Sequence, residues 1–269
     1  MKRCLLSVAC LVLLLTSQSW AGQFGPIKSR VDAGQLYLAA GYTWLSETYD
    51  TGSYTNGEID VKQHSVYAQT GIGIGSGWEV NLRGGASNFT IEKPYHLIQD
   101  DEESDDLRPF VGLGVGGPVF QSGTLQGGPF LQASYYSDYE ASQNSGTETI
   151  SGVRDDGSPF GPVPFQENVF FDKALAVDVG FTFQMTIEGA HLYFGPIYSY
   201  YDSTIESETV ATDNSGVVYA KTTVSDVEVD APLGGFIGIS WPLSDKLHLD
   251  IEGRFQSGAV IGTQVLYSF

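Results

Sequence analysis

In residues 247–255, Leu247, Leu249, Ile251 and Phe255 alternate with His248, Asp250, Glu252 and Arg254. Successive side chains of an extended strand point to opposite faces, so this stretch has one face suited to hydrocarbon and another suited to water or ion pairs. The same period of two recurs in residues 78–83, in 175–184, and in 36–44, where the even positions are apolar or aromatic. Glycine-rich variants of it occupy 66–75, 110–119 and 233–241. About ten such segments are expected, near 35–48, 58–75, 77–91, 107–119, 127–140, 168–184, 190–205, 217–241, 246–256 and 259–269. A chain patterned in this way folds as antiparallel β-structure, and no linker or fixed-length repeat divides it.

The beginning of the chain says where that structure is built. Lys2 and Arg3 precede an apolar run at 11–15, and Ser19-Trp20-Ala21 places small residues where a signal peptidase cuts. Residues 1–21 therefore read as a secretory signal, and 22–269 as one mature domain. Cys4 and Cys10 leave with the signal, so disulfides have no part in the mature fold. The full chain carries a formal net charge of −19, and losing Lys2 and Arg3 makes it more acidic still, which excludes nucleic acid as a partner. Nothing after Ala21 is apolar for the roughly 20 residues that a spanning helix needs, so any membrane crossing must be made by strands.

Connection lengths support such a crossing. The links at 75–77, 185–190 and 242–245 are tight and 120–126 is modest, whereas 50–56, 92–106, 141–167 and 207–216 are long and polar. Short turns on one rim and long loops on the other is the outer-membrane arrangement, although the link at Ser257-Gly258 is short on the long-loop side. Aromatic residues sort in the same way. Trp78, Phe183, Trp241, Tyr267 and Phe269 fall near the tight turns, and Tyr42, Trp44, Tyr135, Tyr139, Tyr198 and Tyr200 toward the long loops, as two interfacial belts. The expected fold is an all-β, up-and-down transmembrane antiparallel barrel of about ten strands, with short periplasmic turns and long extracellular loops. Pro109, Pro129, Pro196 and Pro232 fall in or beside its strands, and bulges or displaced strand boundaries are expected there.

The last residues carry a more specific signal. Gly262, Val265, Tyr267 and Phe269 lie in a final strand that ends on an outward-facing aromatic residue. In pattern the whole mature chain resembles the bacterial outer-membrane β-barrel superfamily, in which such a strand is the recognition signal for the barrel-assembly machinery. The resemblance implies location in the outer membrane of a Gram-negative bacterium, with outer-membrane lipid and that machinery as partners.

Candidate sites follow from parity. With the apolar face turned to lipid, the lumen receives Glu79, Arg83, Asp178, His248, Asp250, Glu252 and Arg254, together with Asn81, Gln132, Asp138 and Gln184. Charges of both signs in a narrow cylinder suit a paired polar core, while inward glycines such as Gly71, Gly73, Gly112, Gly114, Gly116, Gly234 and Gly238 leave room for a hydrated passage. In residues 92–106, Asp100, Asp101, Asp105 and Asp106 form a weak metal candidate whose spacing lacks the glycine of a calcium loop. The size of the barrel is also similar to that of the omptin proteases, which place paired acids and a His-Asp couple at the outer rim; His96 near Asp100 and Asp101 is the local counterpart. There is no G-x-S-x-G, no clustered His/Cys set and no phosphate-binding glycine loop, and no cofactor is expected. The expected function is non-enzymatic presentation of acidic, Tyr-rich extracellular loops, toward an extracellular ligand that the sequence does not identify. A small passive, porin-like pore favouring cations is the alternative, and a peptidase or lipid-modifying barrel the third reading.

Overall fold

The structure, a computed structural model, describes residues 31–50, 58–92, 102–104, 107–144, 149–153, 158–213, 216–229 and 232–269. The predicted signal lies outside them. In chain order the strands are β1 (Leu36–Asp50), β2 (Glu58–Gly75), β3 (Trp78–Glu92), β4 (Glu102–Ser104), β5 (Arg108–Gly116), β6 (Phe120–Ser122), β7 (Leu125–Tyr136) and β8 (Tyr139–Asn144). They continue as β9 (Ile150–Val153), β10 (Pro159–Val163), β11 (Phe165–Ile187), β12 (Ala190–Asp213), β13 (Gly216–Val229), β14 (Leu233–Pro242), β15 (Leu247–Phe255) and β16 (Gly258–Ser268).

Ten of these, β1, β2, β3, β5, β7, β11, β12, β14, β15 and β16, form the wall, each antiparallel to the next. The pairing of β16 with β1, from Tyr37↔Ser268 to Glu47↔Gly258, closes the cylinder. Each expected segment overlaps one wall strand, except that 217–241 divides into β13 and β14. The loop stretches were over-drawn: 207–216 is largely the top of β12, and 141–167 contains the end of β8, the β9–β10 hairpin and the start of β11.

Turn chemistry sets the registers on the tight rim. Glu188 and Gly189, with φ of 51° and 86°, link β11 to β12 as a two-residue loop closed by the Ile187↔Ala190 pair. Successive positive φ values match the strand twist, and glycine takes the second at no steric cost. Glycine also acts in the wall through close approach. A Cβ on Gly71 would fall inside the ring of Tyr37, its direct cross-strand partner, and one on Gly238 inside the ring of Tyr193. Gly71 and Gly238 therefore hold aromatic rings, while Gly112 and Gly114 lie against the Ser134 and Asn81 side chains and Gly73 against the backbone of Val31 and Asp32.

Beside Pro129 the partner register of β7 shifts by one between Gly116↔Phe130 and Phe120↔Gly127, and Pro232 falls at a strand boundary. At Pro196 the β11–β12 pairing lapses between Gly180↔Ile197 and Phe183↔Phe194 but resumes in the same register. Pro109 and Pro129 stay within β5 and β7, paired to Ala86 and Phe181. Pro232 lies before β14, where its carbonyl accepts from the Ser199 N–H at 2.9 Å.

The wall has two zones. Along β2 the inward residues are Ile59 and Val61, then Gln63, Ser65 and Gln69; the outward residues are Asp60, Lys62 and His64, then Val66, Ala68, Ile72 and Ile74. Both faces thus exchange polarity at the same level, apolar outside in the turn-proximal zone and apolar inside in the loop-proximal zone. Hydrocarbon around the first zone and water around the second accounts for both halves. In β11 the exchange is made by backbone. The register with β12 shifts by one between Asp172↔Thr204 and Leu175↔Asp202. Odd-numbered Val177 and Val179 therefore face outward below the bulge, while odd-numbered Phe165, Val169 and Phe171 are buried above it. The upper parts of β11 and β12, flanked by β8 and β13, continue past the membrane zone.

Candidate functional site

The lumen is filled in two layers. In the turn-proximal layer, Arg254 donates from Nε to Glu252 at 2.7 Å and approaches Asp178 at 3.5 Å, with all three side chains almost fully buried. Asp178 also accepts from the Ser199 hydroxyl at 2.5 Å. Across the bore, Gln69 donates to the Tyr37 hydroxyl at 2.9 Å, and that hydroxyl donates to Glu79 at 3.0 Å. Gln264 donates to Asp250 at 2.7 Å. The Arg83 guanidinium lies 5.0 Å from the centroid of the Tyr67 ring. Such paired charges stiffen a wall, because each charge buried there would be costly without its partner, while Asn81 Nδ2 and Gln132 Oε1 are buried in the same layer without a hydrogen bond.

Six of the seven lumen candidates, Glu79, Arg83, Asp178, Asp250, Glu252 and Arg254, are brought into this layer and buried. The seventh, His248, is half-buried and pairs with Pro242 beside the tight turn, so it belongs to the turn-side mouth of the barrel. Asn81, Gln132 and Gln184 are also buried. Asp138 is exposed instead, because it sits in the break between β7 and β8, where inward parity passes from Tyr136 to Tyr139. The same break buries Tyr139, which leaves the outer belt to Tyr42, Trp44, Tyr135, Tyr198 and Tyr200.

The loop-proximal layer is aromatic and aliphatic. Leu45, Tyr49, Ile59, Val61, Phe89, Tyr139, Phe171, Tyr201 and Ile205 belong to one buried cluster. Tyr49 and Tyr201 meet at 5.2 Å between centroids, and Phe89 lies 4.7 Å from Tyr139 and 4.8 Å from Phe171. A hydrated channel exposes its lining, but Tyr49 is 0 % and Ile205 0 % exposed. The sequence did contain a sign of this layer in the change of apolar parity between Ile59 and Val66.

On the outer surface, Val265, Tyr267 and Phe269 take the lipid-facing parity and Gly262 the inward one, and the Tyr267 and Phe269 rings meet edge-on at 5.3 Å. Asp100, Asp101, Asp105, Asp106 and His96 lie outside the described residues. Among the described residues, no group of three or more His, Cys, Asp or Glu side chains is placed to hold a metal.

A closed antiparallel wall with an apolar outward zone defines the class: the protein is an all-β, up-and-down barrel whose wall has ten strands among the described residues. No protein-family model and no curated protein matches the chain. Solved structures with a similar fold include the outer membrane protease OmpT from Escherichia coli, at 14% identity and a TM-score of 0.46, covering 93% of this chain and 99% of that one. Another is the outer membrane protein OprG from Pseudomonas aeruginosa, at 12% identity and a TM-score of 0.39, covering 88% and 97%. A third is an outer membrane channel from Pseudomonas putida F1, at 8% identity and a TM-score of 0.42, covering 93% and 100%.

Proposed function

We propose that the protein is a non-enzymatic, non-conducting element of the outer membrane that holds an acidic, tyrosine-rich surface outside the cell for structural or adhesive contact. The observation that carries this reading is the lumen filled in two layers, a polar clamp centred on Arg254 and above it the aromatic cluster around Tyr49 and Phe171. Among the described residues, a bore with both layers packed supplies no continuous wet path for ions and no open cleft for a substrate, while it gives the upper strands a rigid base. The outward residues of the upper sheet, Asp202, Glu206 and Glu208 on β12 and Asp226 and Glu228 on β13, are acidic and extend the charge of the outer loops. The cation-favouring pore is less well supported, since it needs the interior that these side chains occupy. The terminal strand ending in Tyr267 and Phe269 is the segment the assembly machinery would read.

Planar bilayers test the reading. Verified insertions of the full mature chain should carry no steady current across a salt gradient, and a reproducible cation-selective conductance would replace this function with the pore.

A further inference from the structure

Just before β1 the chain reverses direction. The Asp32 carbonyl accepts from the Gln35 N–H at 3.0 Å, and Gly34, third of the four residues, has a φ of 81°. That closing bond and that left-handed residue are the marks of a type II turn. The Gln35 side-chain oxygen accepts in return from the Asp32 N–H at 3.3 Å. The segment then crosses the inner face of β2 instead of continuing along the wall. The Gly73 N–H donates to the Gln35 carbonyl at 3.2 Å, the Gly73 carbonyl accepts from the Gly34 N–H at 2.7 Å, and Ala33 forms a parallel bridge with Gly73.

This reversal carries Val31 into the turn-side end of the lumen. Val31 is 7% exposed and lies in a buried cluster with Tyr37, Ala39 and Leu266, which take the inward parity of β1 and β16. Residues 32–35 are exposed at the mouth. The close approach depends on Gly73, where a Cβ would stand 2.6 Å from the carbonyl oxygens of both Val31 and Asp32. Gly34 has open space where its Cβ would be, so the turn needs it for backbone conformation alone. Beneath Val31 lies Tyr37, whose hydroxyl joins Gln69 and Glu79 in the polar layer. One glycine for the turn and one for the contact thus set an apolar side chain over the end of that layer.

We propose that residues 31–35 are a strap that closes the turn-side mouth of the lumen, with Val31 as the stopper that keeps water from the network of Tyr37, Gln69 and Glu79. The strap deepens the non-conducting role proposed above and rests on it, yet it is a second closure with residues of its own. Lifting it wets the turn-proximal layer and leaves the aromatic layer dry. Single-cysteine labelling by a water-soluble maleimide, on the full mature chain in dodecyl maltoside micelles, tests it. Ala39→Cys reports the space under the strap, and Val61→Cys the aromatic layer. With the strap intact, both positions should react slowly. Gly73→Val, which displaces the strap, and Gly34→Val, which strains its turn, should each speed labelling at position 39 about tenfold and leave position 61 unchanged, as expected of a local opening. Gly34→Asn, whose side chain tolerates positive φ, should keep the protection. Heat-shifted gel mobility checks that each variant is folded. Fast labelling at position 39 alone with the strap intact would overturn the strap, whereas fast labelling at both positions would overturn the filled lumen together with it. Unchanged slow labelling at position 39 in folded Gly73→Val, or in Gly34→Val should the first not fold, would also overturn the strap, because something else then keeps that layer dry.

Discussion

At the scale of single residues, the stability of this wall rests on pairs whose members cannot be changed separately. Arg254 stands between Asp178 and Glu252 with 1% of its side chain exposed. Arg254→Met would leave two carboxylates buried without their cation, and a loss of roughly 3–5 kcal/mol is expected by urea unfolding in detergent or lipid vesicles. Tyr37 and Gly71 form a second kind of pair. Gly71→Ala drives a methyl group into the Tyr37 ring, an overpacking cost of about 1–3 kcal/mol. Combining it with Tyr37→Ala should be clearly non-additive, and a double-mutant cycle that sums to zero coupling would mean that the ring does not occupy the glycine's space. On the lipid side, Ile251 pairs with Ile239 and Thr263 in the middle of β15, and Ile251→Arg should cost roughly 2–4 kcal/mol. Leu249→Arg, paired with the belt residue Trp241, should cost less.

At the scale of the strand, parity was legible where it was constant and illegible where backbone irregularity changed it. In β15 the period of two runs unbroken, so Asp250, Glu252 and Arg254 could be assigned to the lumen from sequence alone. In β11 Val169, Phe171, Leu175, Val177 and Val179 all have odd numbers, yet a one-residue bulge turns the first two inward. Such a bulge has no local signature in Asp172-Lys173-Ala174, and Asp138 was misplaced for the same reason at the β7–β8 break. Deleting Lys173 alone should leave a regular ladder with Phe165, Val169 and Phe171 still inward, whereas deleting Asp172 and Lys173 together should shift the phase by one and turn them toward water. Heat-shifted mobility should survive while dye binding and proteolysis at upper β11 rise; unchanged proteolysis would show that the bulge does not set the inner face. The last strand makes a different demand. Removing Phe269, which follows the Tyr267 ring at the lipid surface, should slow insertion and leave protease-sensitive periplasmic chain.

At the scale of the whole molecule, the barrel is two cylinders in series made from one set of strands. The turn-proximal cylinder is apolar outside and polar within, as hydrocarbon requires, and the loop-proximal one is polar outside and packed with aromatic residues within, as water requires. The sequence revealed the first because its alternation matches the membrane pattern. Of the second it carried only the parity change in β2, because the inward aromatic residues, such as Tyr49, Phe89 and Tyr201, come from strands distant in the chain and meet only once the cylinder closes. Integral membrane placement predicts recovery in detergent extracts and not in the soluble periplasmic fraction. The central claim, a wall with hydrocarbon outside, a dry interior and a change of polarity at one level, is tested most directly by single-cysteine labelling along β2. Cys4 and Cys10 are the two cysteines of the sequence, so residues 22–269 hold none. A lipid-soluble probe should label positions 66, 68, 72 and 74, a water-soluble maleimide 60 and 62, and neither should label 61, 63, 67 or 69. Ready labelling of 63, 67 and 69 by the water-soluble reagent would mean an open, hydrated lumen and would contradict the filled barrel.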